Sequence, residues 1–562
     1  MRYPLPLLAV IALLACEAPP ATQTPTAEPK TLTMMPENTV SMTRVKEIIA
    51  ELSDDRYEGR EPATTGGDKS EAYLVSQMQA MGIQPGNNGS YLQAVPMVSI
   101  ALDPPRSSVK LSGGGVGHTL KYLEEIVYHT RRVEPEVLVE NSELVFVGYG
   151  IVAPEYDWDD YADLDVRGKT VVMLVNDPGF VTQDPGVFKG RTMTYYGRWT
   201  YKYEEASRQG AAGALIIHQS APASYGWSVI ETGWSGPQLD LKRDDGNASR
   251  AAMEGWISED FAKELFAAAG MDFQATTIAA AAPNFKARDM GELQIDAILE
   301  NKLDFVTANN VIGMIEGSAA PGEAVLYMGH FDHLGMKDVP EGEDGIYNGA
   351  VDNATGTAAI LAIGEAFASA PTPPERSVMI VAVTAEESGL LGSAYFAEHP
   401  PVPLDKIVGG INLDAMIPMG QATDVIVTGL GASELEDVLE TYAAKDGLTL
   451  SPESAPEAGL FYRSDHISLS KVGVPMLYLE VGNDLVDGGK DAGTAAALAY
   501  YNGPYHQVGD EYSPDWDFAG MEQVISLGYK TGNALARSDT WPNWYEGNEF
   551  KELRDAMRDG KK

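Results

Sequence analysis

A row of short apolar runs that stop on residues able to bind cations limits the architecture of this chain more than any other feature. Ala324 to Met328 is too short for a helix and ends in Gly329. It reads as a buried strand that delivers His330, Asp332 and His333 at its carboxyl end. Val378 to Val383 is a second such run, followed after Thr384 and Ala385 by Glu386 and Glu387. Val408 to Leu413, weakened by Gly409 and Gly410, is a third and stops on Asp414. Between the first two, Asp352-Asn353-Ala354-Thr355-Gly356 opens a stretch in which Ala359, Ile360, Ile363, Ala366 and Phe367 recur with helical period. Strands and helices in this alternation predict an α/β fold with a mixed, mainly parallel sheet covered by helices. Ligands bind beyond the carboxyl ends of such strands, which is where these side chains fall.

At 562 residues the chain exceeds one ordinary core, so more than one domain is expected. A net charge of -41, from 81 acidic and 40 basic residues, argues against a nucleic-acid partner because no basic surface remains to neutralise phosphates. Residues 1–15 (MRYPLPLLAVIALLA) have the early positive charge and short apolar core of an export signal. Cys16, the single cysteine, follows Leu13-Leu14-Ala15 in a spacing that resembles a bacterial lipobox. Residues 16–36, rich in Pro, Thr and Ala, read as a tether behind a lipid-modified cysteine. The expected location is therefore outside the cytoplasm, in the periplasm or at the cell surface, anchored to the outer membrane through Cys16.

Residues 37–133 read as the first part of the main domain, with Asp68-x-x-Glu71 as a capping box for the helix that follows. The texture becomes β-rich over 134–283, with strand-like runs at Leu144 to Val152, Thr170 to Val175 and Ala211 to Ile217. One helix is expected at Tyr201 to Gln209 and surface loop at Trp227 to Pro237. Residues 284–549 return to the main domain, and 550–562 form a charged tail expected to fray.

Of eight histidines, four (His330, His333, His466 and His506) lie in the region of the strand ends. Zinc accepts both imidazole and carboxylate, and two histidines with several carboxylates fit a two-metal hydrolytic site better than a structural zinc site, which favours cysteine. Taken singly, Glu386-Glu387 is an ordinary solvated helix start and Asp352 an N-cap; only the set carries meaning. Asp332, two residues from His330, is placed to hold the free ring nitrogen of that histidine. Gly233-Trp234-Ser235-Gly236-Pro237 lacks the final glycine of a serine elbow, no H-E-x-x-H occurs, and no glycine-rich phosphate loop follows a strand.

Together, His330-Phe331-Asp332, Asp352-Asn353, Glu386-Glu387, Asn412-Leu413-Asp414 and Tyr505-His506 resemble, in order, the motifs of the M28 zinc aminopeptidases, whose relatives include glutamate carboxypeptidases and transferrin receptors. Glu58-Gly59-Arg60 resembles their amino-terminal segment, and 134–283 their inserted protease-associated domain. The resemblance implies a zinc exopeptidase fold and two Zn²⁺ ions, with other divalent metals possible. Asp352 would bridge the ions, His330 and Asp414 completing one and Glu387 and His506 the other. It places the last ligand at His506 rather than His466, leaves His333 to pack or hydrogen-bond nearby, and makes Glu386 the general base beside Asp332. Tyr462 or Tyr505 is a candidate donor to a developing oxyanion.

The expected function is removal of amino-terminal residues from peptide substrates through a metal-bridging hydroxide. The rival readings are a carboxypeptidase for acidic carboxyl-terminal residues, for which only Arg463 lies near the site loops; a non-catalytic binding protein on a peptidase scaffold; and cyclisation of amino-terminal glutamine.

Overall fold

The structure is a computed structural model in which residues 39–560 are described; the expected export signal, Cys16 and the tether lie outside the described residues. A large mixed, mostly parallel sheet flanked by helices carries the strand ends picked out above. At its centre, Arg376–Val383, Ala320–His330, Ile407–Leu413 and Met476–Val481 lie side by side and parallel. Arg288–Ile315, Leu92–Leu102 and Pro237–Leu241 extend it antiparallel on one side, and Asp424–Val427 with Thr449–Pro452 extend it on the other. Residues Ala324 to Met328 and Val378 to Val383 are all fully buried. Both faces of these strands are covered, which explains why their sequences run apolar without alternation. Helix Thr355–Ala368 is buried almost all round and packs on that sheet.

Register brings the chemistry to one edge. His330 lies level with Val383, three residues before Glu386, and Leu413, just before Asp414, lies level with Leu479.

A second sheet runs Val116–Thr119, Ser108–Gly113, the first half of Arg288–Ile315, Glu136–Phe146, Thr170–Leu174, Gly213–His218, Met253–Ser258 and Ile126–His129. It reaches beyond the expected bounds 134–283 on both sides, because Arg288–Ile315 is a 28-residue strand that pairs in both sheets. Conversely, Pro237–Leu241, inside those bounds, pairs with Leu92–Leu102 in the first sheet. Composition could not mark a boundary that falls within one continuous strand.

Three local expectations are corrected. Trp227–Gly233 is a short helix with Ile230 buried, and the adjoining Trp234 stacks on His129 at 4.6 Å. Helix Thr65–Ala80 is capped by Thr64, which accepts from the Gly67 N–H, whereas Glu71 lies within the helix and accepts from Asn309. Lys551–Arg558 is a helix rather than a frayed end, because Arg554 is buried and donates to the carbonyls of Ile407 and Val408.

Candidate metal centre

Five chain segments converge at the carboxyl edge of the main sheet, and a few side chains fix their backbones. Asn353 joins two of them: its Oδ1 accepts from the Gly356 and Ala415 N–H groups, and its Nδ2 donates to the Leu413 carbonyl at 3.1 Å. The Asp352 turn is thereby tied to the end of the Asp414 strand. Gly356 permits the approach, since a Cβ there would meet the Leu413 oxygen at 2.1 Å. From the His506 loop, the Asp510 carboxylate accepts from the Val351 and Asp352 N–H groups at 2.9 and 3.1 Å. Thr357 donates to the His330 carbonyl at 2.6 Å. Ser464, itself contacted by Asn412, donates to Asp414 Oδ2 at 2.6 Å.

Within this frame the two carboxylate oxygens of Asp352 face different imidazoles. Oδ1 lies 3.2 Å from His330 Nε2, and Oδ2 lies 3.1 Å from His506 Nε2. His330 Nε2 is also 3.2 Å from Asp414 Oδ1, and His506 Nε2 is 3.2 Å from Glu387 Oε2. His330, Asp352, Glu387, Asp414 and His506 thus come together as a set. Around them, His330, Glu386 and Asp414 each offer a ligand atom within 4.8 Å of the others, and so do His333, Asp352 and Glu387.

The charge in this set is unbalanced. Asp332, Asp352, Glu386, Glu387, Asp414 and Asp465 crowd together, and the buried Arg60 lies close enough to interact with Asp332, Asp352 and Glu387. Burial pushes the His330 imidazole down, but Asp414, Glu386 and Asp352 outweigh it and hold the ring well above its ordinary value. His506 is raised by Asp352 and Glu387 against the effect of burial. Burial pushes the Glu386 carboxyl well above the usual range, and Glu387, Asp465 and Asp414 push the same way. Asp332 is raised to about 6, chiefly by burial. Asp332 Oδ2 and His333 Nε2 are buried without a hydrogen-bond partner among the described residues. Buried carboxylates demand positive charge, and this donor set of imidazole and carboxylate suits divalent cations. The residues fit the metal group that the sequence pattern implies.

Some sequence-derived placements change. The free ring nitrogen of His330 meets the Asp332 backbone carbonyl at 3.2 Å, while the Asp332 carboxylate stands off at 3.8 Å and accepts instead from the Glu386 N–H. His333 hydrogen-bonds nearby as expected, its Nδ1 lying 2.7 Å from Glu387 Oε1. His466 is fully buried among Phe461 and Tyr478, and burial pushes it down to about 3. Tyr462 donates to Glu549 and is spent there, whereas the ring of Tyr505 stacks on His506 at 3.9 Å.

Arg60, noted in the sequence only as part of Glu58-Gly59-Arg60, and Asp510, not noted there, also contribute. Arg60 is wholly buried and donates to the carbonyls of Leu52, Phe331, Asn348 and Gly349, so it laces the His330 exit to the Asp352 entry. The signal for Arg60 was present in Glu58-Gly59-Arg60. Gly59 has φ +66°, and a Cβ there would meet the Gly335 oxygen at 2.2 Å. Asp510 had no local signal, since its role lies in two backbone N–H groups about 160 residues away.

Residues 310–526 match the model of peptidase family M28. The matched span contains His330, Asp332, Asp352, Glu386, Glu387, Asp414 and His506. Among curated relatives, the mouse aminopeptidase NAALADL1 is 31% identical over 129 residues, which cover 22% of this chain and 16% of that protein. A probable zinc metalloprotease of Pyrenophora tritici-repentis is 32% identical over 109 residues, 19% of this chain and 22% of that protein. The chain thus spans less than a quarter of the length of these relatives. Among solved structures, an aminopeptidase from Aneurinibacillus sp. strain AM-1 superposes with TM-score 0.45 at 18% identity, covering 89% of this chain and 95% of that one. The zinc aminopeptidase BSAP of Bacillus subtilis does so with TM-score 0.42 at 18% identity, covering 91% and 100%.

Proposed function

We propose that this chain is a di-zinc aminopeptidase of family M28. The observation that carries the reading is the Asp352 carboxylate, each oxygen of which faces a different imidazole. A shared carboxylate is what two neighbouring cations need, since it lies between them and offsets their repulsion. His330, Asp352 and Asp414 would hold one ion, and Asp352, Glu387 and His506 the other. When bound, such ions polarise a scissile carbonyl and bring the pKa of water towards ~7. Glu386 lies beside this set and takes the proton of the attacking water, then passes it to the leaving amine. Asp332 accepts the Glu386 N–H and so fixes where that carboxyl stands. Tyr505, stacked on His506, is placed to donate to the developing oxyanion.

Metal analysis and peptide cleavage test this together. Purified protein should hold two equivalents of zinc and release leucine from its anilide while sparing an amino-blocked dipeptide. Glu386→Gln should keep both ions and lose ~10³-fold or more in kcat. A metal-replete Glu386→Gln protein that still turns over would remove Glu386 from its role, and a folded protein that takes up no metal would favour the non-catalytic scaffold.

One observation favours the carboxypeptidase as second reading. Buried Arg198 lies close enough to half-buried Arg463 to be depressed by it, and the Nε of each has no hydrogen-bond partner among the described residues, as a site for a substrate carboxylate would require. Cleavage of the blocked dipeptide with no release from the anilide would select it. Residues 134–283 act as a protease-associated insertion in this proposal, and the first 36 residues direct export and lipid attachment at Cys16. Palmitate labelling should be lost in Cys16→Ala; labelling that survives overturns the anchor.

A further inference from the structure

A cavity of about 110 Å³ opens beside Asp414, with Ala415 in its wall. It is smaller than the ~150 Å³ cavity that admits benzene, so it suits one slender side chain. Ile417, Met419, Ile426, Val481, Leu498 and Tyr501 are among its apolar wall residues. Besides the neutral Ser454, Asn483 and Thr494, two carboxylates, Glu480 and Glu453, line it, and among the described residues no Lys, Arg or His does. The sheet explains the placement. Glu480 pairs with Ile426 on one neighbouring strand, and on the other Leu479 pairs with Leu413, so Glu480 is one step along beside Asp414. Glu480 Oε1 accepts from the Thr428 hydroxyl, and its other oxygen has no hydrogen-bond partner among the described residues. Glu453, only 8% exposed, accepts from the Gly429 N–H at 3.1 Å. Two neighbouring carboxylates within apolar walls repel each other and are poorly solvated, and a cation brought by the ligand relieves both penalties.

We propose that this pocket receives the side chain of a substrate's amino-terminal residue and selects lysine or arginine through Glu480, with Glu453 in support. The inference rests on the aminopeptidase reading above. The apolar wall covers the methylene stem, and the carboxylates accept the ammonium or guanidinium at its end.

The test compares near-isosteric anilides on the zinc-loaded, full-length protein: lysine against norleucine, and arginine against citrulline. The cationic member of each pair should be favoured in kcat/KM by ~10-fold or more, in the range a buried polar contact adds to substrate discrimination. In Glu480→Gln both ratios should fall to within about threefold of unity. Should that variant fail to fold, Glu453→Gln should still narrow the ratios, and the wild-type ratios stand on their own. Cleavage of all four anilides with ratios near one, or ratios that neither variant moves, overturns the pocket assignment while leaving the aminopeptidase intact. Cleavage of none of them, or of any other aminoacyl anilide, overturns the aminopeptidase itself and this inference with it.

Discussion

Both sheets bury carboxylates, but they neutralise them in opposite ways. In the second sheet Glu254 is fully buried, with Arg250 at 2.8 Å, Arg131 at 3.3 Å and His129 at 3.6 Å. Burial raises that carboxyl, yet these partners outweigh it and hold it well below the ordinary range. Lys202, also buried, donates to the Tyr149 carbonyl beside Asp160 and Asp177. At the edge of the main sheet, Asp352, Asp414 and Glu387 meet imidazoles, and Arg60 turns its donors to backbone carbonyls. A buried acid that carries its own cation is an element of structure. A group of buried acids that lacks one is arranged for cations from outside.

Substitutions can break this contrast at either end. The largest effect is expected for Asp352→Asn, which removes the charge that both halves of the centre share. Metal content should fall by both equivalents, and kcat/KM on the order of 10⁴-fold, since several kcal/mol of charge stabilisation is lost. Retention of two ions by this variant would deny the bridging role. Next comes Glu254→Ala, which strands Arg250 and Arg131 and should cost about 3–5 kcal/mol in a denaturant titration, with metal content unchanged. Loss of metal without loss of stability would reverse the assignment of the two regions.

Asp510→Asn and Asn353→Ala act at one remove, through the backbone of the Asp352 turn. Each should reduce activity or metal affinity by roughly 10–100-fold, and a matching change in zinc dissociation distinguishes misplacement of the centre from simple unfolding. The smallest effect is a pH dependence. Because the folded pKa of Glu254 is depressed, its contribution to stability is complete above the unfolded value of ~4.3 and is lost as pH falls towards the folded value. Thermal scans between pH 5 and 3 should show the wild type losing the advantage it holds over Glu254→Gln. Parallel curves would mean that the ion pairs set no such slope.

Much of this centre was legible in the sequence. Buried parallel strands must be apolar on both faces, so Ala324 to Met328 and Val378 to Val383 announced themselves, and the residues that follow had to emerge at one edge. The D-N pair was visible, but the reason for Asn353, a clamp on Leu413 and Ala415, was not. Asp332 shows the limit more sharply. Spacing placed its carboxylate on His330, whereas the chain turns so that its carbonyl takes that position. The second sheet was harder to delimit, since its edge strands are short and Arg288–Ile315 passes unbroken between sheets.

The sequence by itself determined the strand ends, the order of the acids and imidazoles along the chain, and the class of fold, because these follow from local periodicity and side-chain chemistry. Only the tertiary structure decided that His506 rather than His466 faces Asp352, that Arg60 and Asp510 hold the turn, and that Glu480 stands beside Asp414 in a pocket. Each of these is a contact between residues far apart in the chain or on neighbouring strands, and such contacts are set by register and packing, which no local pattern encodes.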